Sequence, residues 1–444
     1  MRSLYLLLST ALCSPIYRSE VKVIPEILAQ LLEVTTTSYI NTIQPREIFE
    51  LSARISDITT GKITPIQTIN QGLSILSTLQ NKTSLQKAIA VVSAGLVPQN
   101  ILTLLNPSNP INSYTNTNPP PNTPLYPKSP KDAPYDIPEP NLLAALYIPP
   151  SFTCTKTPIL LVPGTADPAG TTFSFSYSKL LQTNTTTPVW INVPNVSLSD
   201  IQDNAQYIAY AINYLSTQCK RTIGVLGWSQ GALDTQWALK YWPSTRGAVS
   251  DFLAVSGDFH GTVVESLCML DESVCTPAIR QQGYHSRLVM ALRGEGGDSA
   301  FVTTTTSVFS SVDAVVQPQR GPGASGVLGD GRGVGVSSTM VQDVCAGGAG
   351  GGFYTHSAML VNPLVYALFI DALGHEGPGR VERVDLGVCK ESLAPGLEVG
   401  DFLGMEAVSD VLGPIEVLLY RGEKEPWGRE PVLREYVHDV ERWM

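Results

Sequence analysis

Residues 221–226, Arg-Thr-Ile-Gly-Val-Leu, lead straight into Gly227-Trp228-Ser229-Gln230-Gly231, and a helix-patterned stretch follows at once. A strand that ends on a glycine-flanked serine and turns directly into a helix demands a sheet to hold the strand and a packed face to receive the helix. The glycines matter because the turn is so tight that the serine sits in a strained backbone conformation with no room for side chains beside it. With 37 glycines in the chain, a bare G-x-S-x-G would mean little, so the flanking elements carry the weight. Residues 232–242 place Leu233, Trp237, Leu239 and Trp242 at a spacing that suits a helix lying on a sheet. Ser229 therefore reads as a nucleophile.

Around this turn, strand-like runs at 158–163, 188–193, 221–227, 251–257 and 303–310 alternate with helical stretches near 174–182, 200–215, 231–242 and 286–293. The alternation predicts an α/β fold with a mostly parallel sheet covered by helices over residues 142–444. Residues 20–105 are patterned differently. Ile48, Leu51, Ile55 and Ile58 share one helical face, as do Ile66, Ile69, Leu73 and Leu76. Thr64-Pro65 suits an N-cap followed by proline at the first helical position, and Thr83 with Gln86 fits a capping box. This region is expected to be a small helical domain or pro-segment. Between the two, residues 106–141 hold 11 of the 33 prolines among asparagine, serine and threonine, the composition of an extended linker. The glycine-rich stretch 320–352 reads as loop.

The chain begins with a charged start, a short apolar core at residues 4–12 and small residues beyond, which predicts a secretory signal over 1–19. No apolar run approaches the roughly 20 residues of a membrane-spanning helix. The net charge of −10, spread without long runs, argues against nucleic acid or an anionic membrane as a steady partner. Loss of Cys13 with the signal leaves six cysteines, an even number that suggests disulfides in a secreted protein. Cys154 and Cys219 each precede a strand, and parallel neighbouring strands would bring them within the ~7 Å a disulfide allows. Cys268 and Cys275 would stand about 10.5 Å apart on one helix and can pair only if that segment breaks. No C-x-x-C or H-x₃-H pair proposes a metal site. The glycine-rich stretch 321–335 lacks the strand and the Lys-Ser or Lys-Thr of a nucleotide site, so no cofactor is expected. Asn81, Asn184 and Asn195 open glycosylation sequons.

A serine hydroxyl needs a base to remove its proton and a carboxylate to orient that base. In sheets built around such a turn the histidine follows both the serine and the acid, which of the five histidines leaves His356, His375 and His438. His356 closes the glycine-rich stretch and stands before a helical run, where a loop would present an imidazole; the other two lie among polar residues. Local sequence leaves the acid open between Asp313 and Asp258, each just past a strand. Oxyanion donors are sought at Gln230, which opens the helix after the serine, and at Thr165 in Pro163-Gly164-Thr165.

Taken together these segments resemble the lipase B family of secreted fungal α/β-hydrolase lipases. The resemblance is carried by Pro158-Ile-Leu-Leu-Val-Pro-Gly-Thr165, Trp228-Ser-Gln-Gly231, Asp258 with Gly261-Thr262, Asp313 with Val316-Gln-Pro-Gln319, and His356 before its helix. It covers roughly residues 140–444. It implies Ser229 as nucleophile, His356 as base, Asp313 as its partner, and Thr165 and Gln230 as oxyanion donors. It also implies that Asp258 is a second buried aspartate beside the acyl pocket, that Trp228 walls the alcohol side, and that Cys345 pairs with Cys389. Val189 stands where the family has a cysteine, so a Cys154–Cys219 bond would be relocated, and the family's last disulfide is missing. Residues 262–288 occupy the place of the family's short lid, with Leu267, Met269 and Leu270 between acidic residues. The expected activity is hydrolysis of acylglycerol esters by a secreted enzyme through an acyl-enzyme, without metal or cofactor. Other outcomes of the same residues are a carboxylesterase, polyesterase or transacylase, or a hydrolase-like binding protein.

Overall fold

The structure, a computed structural model, describes residues 45–80, 82–104, 106, 109–263, 275–301, 304–422 and 429–439. The expected signal, Asn81, Cys268 and the apolar part of the lid segment lie outside the described residues.

Among the described residues three amphipathic helices come first: α1 (Pro45–Thr59), α2 (Ile69–Ser77) and α3 (Ser84–Ser93). Their stripes are buried as the spacing requires, with Ile48, Leu51 and Ile58 wholly inaccessible. Helix α2 starts later than expected. Thr68 caps it by accepting from Gln71 N–H, while Ile66 N–H is bonded to Gly95 O, which holds the Thr64-Pro65 segment outside the helix. Thr83 caps α3, but only half the expected box forms, because the Gln86 side chain reaches Glu47 Oε1 instead.

Seven strands form one sheet: β1 (Leu146–Tyr147), β2 (Thr157–Val162), β3 (Thr186–Ile191), β4 (Ile223–Trp228), β5 (Val249–Val255), β6 (Thr304–Phe309) and β7 (Val336–Met340). Their order is β1-β3-β2-β4-β5-β6-β7; β1 runs antiparallel to β3 and the other pairs are parallel. The central strands read as continuous apolar runs because both faces are covered. Strand alternation sorts them: Ile159, Leu161, Leu226 and Leu253 enter one core, and Leu160, Val162, Val225 and Phe252 the other. Helices α4 (Ile201–Cys219) and α5 (Gln230–Tyr241) cover the second face. The first is covered by α6 (Pro363–Gly374), α7 (Val399–Ala407) and α8 (Gly413–Leu419), and α1 to α3 join the same core. Between α7 and α8 the chain makes a π-helical turn, Val408–Leu412, which packs against α3. Among the described residues no helix is long and apolar enough to cross a membrane.

Two segments differ from their composition. Part of the glycine-rich stretch forms β7, an edge strand paired only with β6. The proline-rich segment carries little regular structure, yet Leu125 and Ala133 are buried in it. Its asparagines replace the missing ladder: Asn116 donates to Ala144 O, Asn118 to Leu143 O and Leu146 O, and Asn112 to Thr171 Oγ1. Disulfides join Cys154 to Cys219 and Cys345 to Cys389, with Cα separations of 4.9 and 5.1 Å.

Candidate active site

Strand β4 ends at Trp228, and Ser229 then adopts φ 56° and ψ −129°, a conformation that L-residues rarely hold. The sheet and α5 enforce it. Ser229 N–H donates to Val255 O, and a Cβ on Gly231 would stand 2.4 Å from Val162 O, while one on Gly227 would meet Ala232 N at 2.7 Å. Only glycine allows the strand end and the helix start to close on each other at these two positions.

His356 lies in an irregular turn between Tyr354 and the 3-10 helix Ala358–Val361, so no ladder of backbone bonds fixes it. Its Nδ1 is 2.7 Å from Asp313 Oδ2. Since the carboxylate accepts, Nδ1 carries the proton and Nε2 is left as the basic nitrogen. Asp313 Oδ1 accepts from Val315 and Val316 N–H, which fixes the carboxylate in turn. Ser229 and His356 both line a cavity of about 680 Å³, together with Thr165. They are 4% and 5% exposed, so the serine is reached through this cavity and not from open surface. Among the described residues no hydrogen bond reaches Ser229 Oγ; such contacts often tighten only with substrate bound.

Thr165 Oγ1 lies 2.6 Å from Gln230 Oε1 and 3.0 Å from Gln282 Oε1. Gln230 opens α5, where the helix leaves its first N–H groups without intrahelical partners. Trp228 and Asp258 are fully buried and lie behind the cavity, not on its lining. The Trp228 ring packs 5.3 Å from the imidazole and its Nε1–H donates to His356 O. His375 and His438 are surface groups.

The site is crowded with carboxyls. Burial raises Asp258 to about 7 against the pull of the nearby His356, and among the described residues no other residue donates to its oxygens. Burial likewise raises Asp167, two residues past Thr165, to about 8. Burial disfavours the His356 imidazolium, but Asp313, then Asp167 and Asp258, outweigh it, and the imidazole titrates above its ordinary value. Sequence reasoning missed Asp167, Gln282 and a buried group formed by Glu406, Asp410 and Lys87. Lys87 reaches from α3 to place Nζ 2.6 Å from Asp410 Oδ1. The turn between α2 and α3 contributes Gln80 and Thr83 to the cavity wall, and the start of α3 adds Ser84. Among the described residues no group of three or more His, Cys, Asp or Glu side chains could hold a metal ion.

A mostly parallel sheet that presents a serine on a strained strand-to-helix turn, with an imidazole–carboxylate pair from later loops, defines the α/β-hydrolase fold. No protein-family model matches the chain. It is 32% identical over 292 residues to lipase B of Pseudozyma antarctica, which spans 64% of this chain and 80% of that one. It is 40% identical to Aspergillus fumigatus lipase B, whose crystal structure superposes with a TM-score of 0.85 over 93% of this chain and 100% of that chain. The chain belongs to the lipase B family and is a carboxylic ester hydrolase. At 93% coverage the second likeness takes in most of the chain ahead of residue 142, which the sequence motifs alone do not match.

Proposed function

We propose that the protein is a secreted lipase that hydrolyses acylglycerol esters through an acyl-enzyme on Ser229. The observation that carries this reading is the bond from His356 Nδ1 to Asp313, which leaves Nε2 as the base on the same cavity as the serine. Nε2 takes the Ser229 proton as Oγ attacks the ester carbonyl, and the imidazolium that forms is stabilised by Asp313. The N–H groups of Gln230 and Thr165, joined by the Thr165 hydroxyl, receive the oxyanion. Collapse of the tetrahedral intermediate breaks the ester C–O bond; the imidazolium gives its proton to the departing alcohol and the acyl group stays on Ser229. Water, deprotonated by the same nitrogen, then releases the acid.

Leu76, Ile279, Val315, Phe353 and Val417 line the cavity and suit an acyl chain. Because Leu76 and its neighbours come from α2 and α3, residues 45–104 are read as part of the working enzyme. Both lipase B relatives support the ester class, and the charged start of the chain supports secretion. Asn184 and Asn195 are exposed, as glycan acceptors must be.

The test is release of nitrophenol from short-chain and long-chain nitrophenyl esters, with tributyrin emulsion in parallel, by the wild type and by Ser229→Ala. Activity on emulsion and long chains that is lost in the variant is expected. Activity restricted to short soluble esters would make the protein an esterase, and activity that survives in Ser229→Ala would overturn the assignment.

A further inference from the structure

His356 owes its place to a turn that has few backbone bonds of its own. The residues on either side of it, Thr355 and Ser357, each carry a hydroxyl, and both converge on one carboxyl oxygen. Ser357 Oγ donates to Glu406 Oε1 at 2.9 Å and Thr355 Oγ1 to the same atom at 3.4 Å. Glu406 lies on α7 and is wholly inaccessible. A charged group is costly to bury without pairing, so a carboxyl retained here needs a reason beyond packing.

We propose that Glu406 is a positioning residue that clamps the Thr355–Ser357 turn, and so aims the His356 imidazole at Ser229. This rests on the assignment of His356 as the base.

The surroundings fit a rigid clamp. Burial first, and then the charge of Asp410 one helical turn on, holds the Glu406 carboxyl well above its usual range. Among the described residues Glu406 Oε2 and Asp410 Oδ2 receive no other donor, and a hydrogen bond between the two carboxyls raises Glu406 further. Glu406 then keeps Oε1 as a pure acceptor for the two hydroxyls. Asp410 is fixed by Lys87, and the π-helical turn that carries Asp410 lies directly after α7. The turn is also held by the bonds of Trp228 Nε1–H to His356 O and Ala358 N–H to Thr355 Oγ1, and by the backbone bonds Met359 N–H to Thr355 O and Leu360 N–H to Ser357 O. Thr355 Oγ1 thus serves both the clamp and the start of the following 3-10 helix.

The test compares Glu406→Leu, which keeps the volume and removes the acceptor, with Glu406→Gln, which keeps a neutral acceptor. For the leucine variant kcat on nitrophenyl butyrate should fall about 10- to 100-fold with KM held within about twofold, since small misplacements of a base cost that much. The glutamine variant should recover to within about threefold of wild type. Ser357→Ala combined with Thr355→Val removes the same bonds from the other side and replaces Glu406→Leu should that variant not fold. A readout independent of turnover is the downfield NMR proton of the His356–Asp313 bond, which should broaden or shift in the leucine variant and persist in the glutamine variant. Loss of kcat only in proportion to the unfolded fraction, an unmoved NMR proton in Glu406→Leu, or an equal loss in Glu406→Gln would overturn the clamp. Inactivity of the wild type on every ester would instead overturn the functional assignment, and the NMR comparison would still decide the positioning role.

Discussion

Asp258 is buried, no other residue among those described donates to either of its oxygens, and burial pushes its pKa up to about 7 in the folded protein. In the unfolded chain an aspartate titrates near 3.9. The folded state therefore holds a proton that the unfolded state has released across most of the range from pH 4 to pH 7. A raised folded-state value adds stability that is fully present below the unfolded pKa and is lost as pH rises through 7. Between pH 9 and pH 5 the wild type should gain from this one group about two decades of proton binding, or about 3 kcal/mol. Asp258→Asn removes the titration while keeping nearly the same shape. The variant should thus be about 3 kcal/mol better placed relative to wild type at pH 9 than at pH 5, whatever its offset at either pH. Other titrating groups, Asp167 among them, are common to both proteins and cancel to first order. Paired thermal scans at the two pH values read the change. At roughly 2–4 °C per kcal/mol for domains of about half this size, the Tm difference between variant and wild type should move by several degrees. A pH-independent Tm difference, or one that moves in favour of the variant at pH 5, would refute the reasoning and place Asp258 as an ordinary carboxylate.

Asp313→Asn should lower kcat about 10⁴-fold by presenting the wrong imidazole tautomer. In the wild type the acid limb of kcat/KM should fall above pH 6.5, because the surrounding carboxyls raise His356 and the base works only once deprotonated; a limb at or below 6.5 in stopped-time assays would contradict this. Lys87→Met leaves Asp410 beside Glu406 without its cation, and both side chains of the pair are mostly covered. Allowing for that partial exposure, stability should fall by about 2–3 kcal/mol; denaturation of variant and wild type measures it, and Lys87→Met with Asp410→Asn should recover most of the loss.

The tight turn at Ser229 was legible because its requirements are local. A strand, two glycines and a helix must be contiguous, and Ser229 could be placed from residues 221–242 alone. His356 could be singled out from its setting at a loop end, whereas local sequence left the acid open between Asp313 and Asp258, which both follow strands; the family resemblance favoured Asp313, and it is Asp313 Oδ2 that lies 2.7 Å from the imidazole. Composition misled where side chains take over the work of backbone. Asn116 and Asn118 satisfy carbonyls that a strand would otherwise pair, so a segment rich in proline and asparagine lies folded against β1. Strand β7 was missed for another reason: its Val336-Ser-Ser-Thr-Met340 has too few apolar groups to announce a strand, although it pairs with β6 through the backbone. Glu406, Asp410 and Lys87 were out of reach for a different reason. Each looks like an ordinary surface residue on an amphipathic helix, and only the packing of α3 on the π-helical turn makes them interior.

The bond between Lys87 and Asp410 spans 323 positions of chain. At the roughly 5–20 residues per second of synthesis, α3 is complete some 15–65 seconds before its acidic partner exists. Through that interval the apolar stripes of α1 to α3 lack the part of their core that α7 and α8 supply. The first part of the molecule to be made is then among the last to reach its final neighbours, and the nascent chain carries an exposed greasy surface for most of its time on the ribosome.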